Sequence, residues 1–267
     1  QTMNDAPQTI CQSNDQRFDF DIDEGIASRA AVGLIVLSSD QTVEYDFRRL
    51  LNLPGVGVYQ SRIYTENIVT PESLARMEPN IERSTELLLP GVNLDVVAYG
   101  CTSASMIIGE ERIFERIRAA RPEVACTTPI TGAFAAFETL GMKRIAVLTP
   151  YTTKVNEKVR QYIEGRGIEV AAFGSFHEED DRRAARISED SIVRAAVQLG
   201  GADDIDGIFV SCTSLRLASA ASRIEQELGK PVTSSNHAMA WHCLRLAGIH
   251  DPQPEHGRLF ELPLAGS

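Results

Sequence analysis

Cys101 and Cys212 each close an apolar run of strand length followed by one small residue, and each begins the tripeptide Cys-Thr-Ser. A thiol placed where a strand hands over to a helix sits beside unpaired backbone N–H groups and the positive end of the helix dipole. That position favours the thiolate of a group whose free pKa is about 8.5, and it gives a carboxylate somewhere to dock. The following Thr-Ser packs no core but supplies hydroxyls to an anion. Two such thiols facing each other suit proton transfer at a carbon next to a carboxylate, or reversible addition to an activated double bond. One sulfur attacks or deprotonates, and the other delivers a proton from the far side. A single cysteine after an apolar strand is more often a small buried residue; the repetition turns the reading toward function.

The elements that must hold these thiols form a repeat. Cys101 and Cys212 are 111 positions apart (212 − 101), and so are Asp40 and Tyr151 (151 − 40). The first unit reads as a strand over 31–37, a helix over 41–51, a strand over 55–62 and one long helix over 71–89. A strand over 94–99, a helix over 107–120, a strand over 123–126 and a helix over 129–140 complete it. The second unit repeats the pattern: strands begin at 143, 167, 207 and 231, and helices cover 155–165, 191–199, 218–228 and 237–246. Strands alternating with helices need crossover connections. The predicted fold is therefore α/β, with two pseudo-symmetric domains, each a roughly four-stranded parallel sheet flanked by helices. Ligands in such folds sit outside the carboxyl ends of the strands, so the two thiols are expected on one inter-domain cleft. The expected boundaries are an N-terminal arm over 1–29, domains over 30–141 and 142–249, and a surface tail over 250–267.

Composition narrows the partners. The formal net charge of −11 disfavours nucleic acid and anionic membrane surfaces, while single arginines and local dipoles still allow an anionic substrate. No apolar run approaches a membrane span and the first residues lack a signal pattern, which predicts a cytoplasmic protein. Five cysteines, an odd number, argue against a disulfide framework. No Cys-x-x-Cys or His-x-x-x-His pair suggests a metal, and the glycine-rich dinucleotide fingerprint is absent after the first strand, so no cofactor is expected. Cys126 and Cys243 read as core thiols and Cys11 as an exposed one on the arm. His237 and His242, five apart, read as packing or surface residues, and Asn236 as a helix cap. Arg216 either stabilises the Cys212 thiolate or pairs with a carboxylate on its helix. The acidic run 178–181 reads as a solvated loop able to act as a lid.

The segments 33–40, 99–103, 148–151 with Val155 and Asn156, and 211–216 together resemble the aspartate/glutamate racemase superfamily over about residues 31–249. Within it the chain is most similar to the maleate isomerase branch, which also holds arylmalonate decarboxylases and the ectoine-utilisation protein A group. The resemblance implies that Cys101 adds to a double bond, that rotation follows, and that Cys212 acts as acid and base. It implies a carboxylate-binding hydroxyl at Tyr151 and carboxylate pockets lined by Thr102, Ser103, Thr213 and Ser214. Dimers or tetramers are implied as well. Arylmalonate decarboxylases keep only the second cysteine, so Cys101 argues against simple decarboxylation.

Two positions depart from the maleate isomerase pattern, which has asparagine where this chain has Asp40 and again near Arg182. An acid at one end of the cleft repels a second carboxylate and favours an ammonium or amidine, while Arg182 is expected to clamp a single carboxylate. The ectoine-utilisation group is similar at both places. The expected function is thus a cofactor-independent isomerase or racemase acting on a small carboxylate of ectoine or hydroxyectoine breakdown. The alternatives are an Asp/Glu-type racemase, an arylmalonate-type decarboxylase, a carboxylate-binding module, and a thiol redox protein that bridges Cys101 to Cys212.

Overall fold

The computed structural model describes residues 16–66 and 70–266. The first half runs β1 (Ala30–Leu37), α1 (Val43–Leu50), β2 (Val56–Ile63), α2 (Pro71–Ala75), α3 (Ile81–Glu86), β3 (Val96–Gly100) and α4 (Thr102–Ile108). It closes with α5 (Glu110–Ala120), β4 (Ala125–Thr127) and α6 (Pro129–Leu140). The second half runs β5 (Arg144–Thr149), α7 (Thr153–Gly165), β6 (Glu169–Ser175), α8 (Asp181–Ala184), α9 (Glu189–Gly200) and β7 (Gly207–Val210). It closes with α10 (Ala221–Leu228), β8 (Val232–Ser234) and α11 (Ser235–Leu246).

Each half builds one four-stranded, all-parallel sheet, in the order β2-β1-β3-β4 and β6-β5-β7-β8. The identical order realises the repeat. β1 and β5 are central strands with helices over both faces, which is why their apolar runs carry no alternation. β3 and β7 lie beside them, so Cys101 and Cys212 both emerge at carboxyl ends near the sheet centre. The helices that follow β4 and β8 pack against each other: a Cβ on Gly132 of α6 would stand 2.8 Å from the Ala238 carbonyl oxygen of α11. Only glycine allows that approach, and it draws the two halves together.

Two helices are shorter than their periodicity predicts. The expected helix over 71–89 is broken into α2, a 3-10 turn at Glu78–Asn80 and α3. Pro79 has no N–H to give and disfavours a helical residue before it. The helix over 107–120 begins earlier and is interrupted at Gly109, which adopts φ 96° and separates α4 from α5. The tail is more than a surface segment. Leu259 and Phe260 are fully buried, and Arg245 donates to the carbonyls of Ile249, Phe260 and Leu262. Asp251 reaches back to Arg29 of the first half. Cys126 and Cys243 are buried thiols, as expected, while Cys11 lies outside the described residues. Among the described residues no helix is long and apolar enough to cross a membrane.

Candidate active site

Cys101 follows β3 in extended conformation and is itself the N-cap of α4. Its Sγ accepts the Ala104 N–H at 3.4 Å and lies 3.8 Å from the Ser103 hydroxyl. Cys212 stands in the matching place after β7, where its Sγ accepts the Ser214 N–H at 3.4 Å. Both thiols, with Thr102, Thr213 and Tyr151, line one cavity of about 20 Å³ between the two halves. Leu37, Ser39, Thr65, Glu66, Ser73, Leu74 and Asp181 complete its wall. That volume holds about one water molecule.

Tyr151 is fixed from behind. Its carbonyl accepts from the Asn156 amide at 3.0 Å and from the Ser175 hydroxyl at 2.7 Å. Its side chain lines the same cavity as both thiols. Burial pushes its pKa well above the usual phenol value, with the charges of Cys212 and Cys101 adding to the effect. Tyr151 therefore acts as a neutral hydroxyl at physiological pH.

Burial works against the thiolate that a helix N-terminus favours at these positions. Burial drives the Cys101 pKa up to about 12, against the lowering bonds from the Ala104 N–H and the Ser103 side chain. The Cys212 pKa is raised as well, first by burial and next by the charge of Asp181. Desolvation of sulfur outweighs one N–H bond at 3.4 Å, so both rest as thiols near neutral pH.

Of the sequence-predicted residues, Cys101, Cys212, Thr102, Tyr151 and Thr213 reach the cavity wall, while Asp40, Ser103 and Ser214 stand behind it. Asp40 is buried, one of its oxygens accepting the Thr42 and Val43 N–H groups at the start of α1. Burial raises its pKa to about 6 despite those two bonds. Arg182 does not reach the site. Its side chain is 59% exposed and forks onto Asp180, the N-cap of α8, because a one-residue helical step turns it away from the cleft. Its neighbour Asp181 turns inward instead. One Asp181 oxygen accepts from the Ser39 hydroxyl at 2.5 Å and the other accepts from the Ser214 hydroxyl. Arg216 takes neither expected role, since it donates to the Ile187 carbonyl.

Asn236 also escaped a correct reading. Ser234 is the N-cap of α11, and the Asn236 amide donates at 2.8 Å both to the Thr213 carbonyl and to Asp46 of the first half. Asp46 is buried and its pKa is pushed up to about 7. The signal available in the sequence was the place of Asn236 two residues beyond the last strand, where an α/β fold gathers its ligands. His237 is buried on Thr233 and the His256 carbonyl, and His242 is buried on Thr127, so both are packing residues. Among the described residues no group of three or more His, Cys, Asp or Glu could hold a metal.

A repeated parallel α/β unit that brings one thiol from each copy to a shared cavity defines a two-domain, paired-cysteine architecture. Residues 67–260 match the family model described as arylmalonate decarboxylase, and the chain belongs to that family of arylmalonate decarboxylases and maleate isomerases. It is 30% identical to the arylmalonate decarboxylase of Bordetella bronchiseptica over 88% of this chain and 98% of that one. It is 28% identical to the maleate isomerase of Nocardia farcinica over 86% of this chain and 94% of that one. The fold superimposes on a maleate isomerase of Pseudomonas putida S16 with maleate, with a TM-score of 0.80, 27% identity and coverage of 87% and 97%. It also superimposes on a Nocardia farcinica maleate cis-trans isomerase variant carrying a covalently bound succinylcysteine intermediate, with a TM-score of 0.79, 25% identity and coverage of 87% and 98%.

Proposed function

We propose that this chain is a cofactor-independent isomerase that works with Cys101 and Cys212 on a carbon next to the carboxylate of a small molecule. The observation that supports the reading is the meeting of both thiols and the Tyr151 hydroxyl on one enclosed cavity. In a cis-trans reaction, Cys101 first loses its proton to water, and its thiolate forms a bond to one carbon of the double bond while the Cys212 thiol gives its proton to the other. Rotation follows about the single bond. The Cys212 thiolate then takes a proton back, the C–S bond breaks, and both sulfurs return to their starting states. In a racemisation the same pair removes and returns one proton on opposite faces. The succinylcysteine adduct in the Nocardia farcinica relative supports assigning a covalent role to one sulfur.

The likeness of Asp40 and of the segment 180–187 to the ectoine-utilisation group supports placing this reaction in ectoine or hydroxyectoine breakdown. The expected substrates are then ectoine-derived carboxylates and not maleate. Incubation in D₂O with maleate, ectoine or hydroxyectoine, read by proton NMR, tests both parts. Deuterium is expected beside the carboxylate of the ectoine compounds with the native chain, and not with Cys101→Ala or Cys212→Ala. Exchange that persists in both variants rejects the two-thiol reading, and fast conversion of maleate to fumarate rejects the ectoine assignment. We further propose a homo-oligomer: Phe18, Phe20, Ile22 and Ile26 of the arm are 71–86% exposed, an apolar series that a second copy would cover. Sedimentation of the chain without residues 1–26 should show a smaller species than the full chain; an unchanged mass rejects a role for the arm.

A further inference from the structure

The wall of the cavity is acidic and has no cation on it. Its described lining residues include Asp181 and Glu66 but no Lys, Arg or His. Asp40 lies just behind, with its Oδ2 buried and unpartnered. None of the arginines close by stands on the cavity wall. Arg62 donates to the carbonyls of Leu37 and Asp40 and pairs with Glu44. Arg182 and Arg183 pair with Asp180 and Glu178, while Arg216 gives one N–H to the Ile187 carbonyl, keeps its buried Nε unpartnered and does not line the cavity. A doubly negative ligand would therefore meet a carboxylate with no cation on the cavity wall to offset it.

Asp181 is built to face a ligand. Ser39 from the first half and Ser214 from the second each donate a hydroxyl to one of its oxygens, which fixes its plane across the cleft. A carboxylate has about four acceptor sites, so roughly two remain for donors entering the cavity. The opposite requirement is met by the Cys-Thr-Ser corners and Tyr151, whose N–H and hydroxyl groups can hold one carboxylate without a formal charge.

Resting on the isomerase reading above, we infer that Asp181 is the specificity-determining counter-ion of this site, and that the substrate carries one carboxylate and one cationic nitrogen, an ammonium or amidinium. The same pairing bears on the chemistry. Burial is the main reason both thiols stay protonated, the Asp181 and Asp40 charges add to it, and a cation brought against Asp181 offsets that addition as the substrate binds.

The test uses three unreactive probes on one four-carbon skeleton: succinate, succinamate and 3-amidinopropanoate, with net charges of −2, −1 and 0. Calorimetry on the full chain at pH 7.5 should rank 3-amidinopropanoate tightest and succinate weakest, with steps of about tenfold. Asp181→Asn keeps the size and can still accept one hydroxyl. It should weaken the amidine about tenfold and strengthen succinate by a similar factor. Succinate binding the native chain as tightly as the amidine overturns the inference, as does an unchanged ratio in folded Asp181→Asn or no binding of the three at millimolar concentration. The native ranking stands even if the variant fails to fold. Because these probes report binding alone, cysteine-dependent deuterium exchange alongside a preference for succinate would remove the counter-ion role and leave the two-thiol reading intact. The correct ranking without such exchange would do the reverse.

Discussion

The two Cys-Thr-Ser corners are copies in sequence but are held by different means. In the first, the chain runs directly into α4 and the corner is largely self-sufficient: Cys101 caps the helix and Ser103 lies beside the sulfur. In the second, the chain does not enter a regular helix until α10, after a 3-10 turn at Ala218–Ala220. That corner borrows its support. Ser214 gives its hydroxyl to Asp181, and the Thr213 carbonyl is tied to Asn236 and through it to Asp46. The start of α11 serves both corners, since Ser235 accepts the Thr102 hydroxyl at 2.6 Å while Asn236 holds Thr213. Duplication thus conserved the place of the thiol but not its electrostatics. Asp181 follows burial directly in raising the Cys212 pKa, whereas at Cys101 two lowering hydrogen bonds come first. This asymmetry suits Cys101 to the attacking role and Cys212 to the acid.

The largest effect that could break this contrast is thiol reactivity. With the Cys101 pKa up near about 12 against 9.0 for the ordinary group, its alkylation by iodoacetamide at pH 7 should be about 10³-fold slower than that of a free cysteine. Cys212 should be no faster. Rapid stoichiometric labelling of either at neutral pH, located by peptide mass, contradicts the resting state described above.

Stability should separate the corners next. Asn236→Leu leaves the Thr213 carbonyl and Asp46 without their buried donor and should cost about 3 kcal/mol in urea unfolding. Thr102→Val removes the single hydroxyl bond that ties the first corner to α11 and should cost about 1 kcal/mol. Equal losses would mean that the second corner borrows nothing.

The Asp46 carboxyl gives a pH signature with a definite sign. Burial raises its folded pKa from 3.8 to about 7, so its favourable contribution is complete below about pH 4 and is lost as the pH climbs through about 7. Asp46→Asn should therefore reduce the loss of stability between pH 5 and pH 8 by about 2 kcal/mol. An unchanged slope would show that Asp46 is ionised in the fold. Arg182→Gln should do least, shifting Tm by under about 2 °C and leaving turnover unaltered, since its guanidinium only meets Asp180 at the surface. A large loss of activity there would restore the clamp that the sequence suggested.

The doubled α/β order, the parallel sheets and the positions of both thiols were legible because they are written in short-range signals: apolar runs, glycine and proline stops, and one repeated tripeptide. The broken helices at Pro79 and Gly109 were legible too, had the breakers been weighed above periodicity. Asp181 was not. In the run 178–183 four acids are followed by two arginines with no period to mark a face, and only the one-turn helix capped by Asp180 decides that residue 181 turns inward while 182 turns out. The same holds for Asn236, whose partners lie 23 and 190 positions away.

The sequence by itself determined which residue types stand at the carboxyl ends of the strands, since strand and helix formation are local. Tertiary structure alone decided the protonation of the thiols and the charge of the cavity wall. Those depend on how much water the packed halves exclude and on which charges that packing brings together, and neither quantity is a property of any segment.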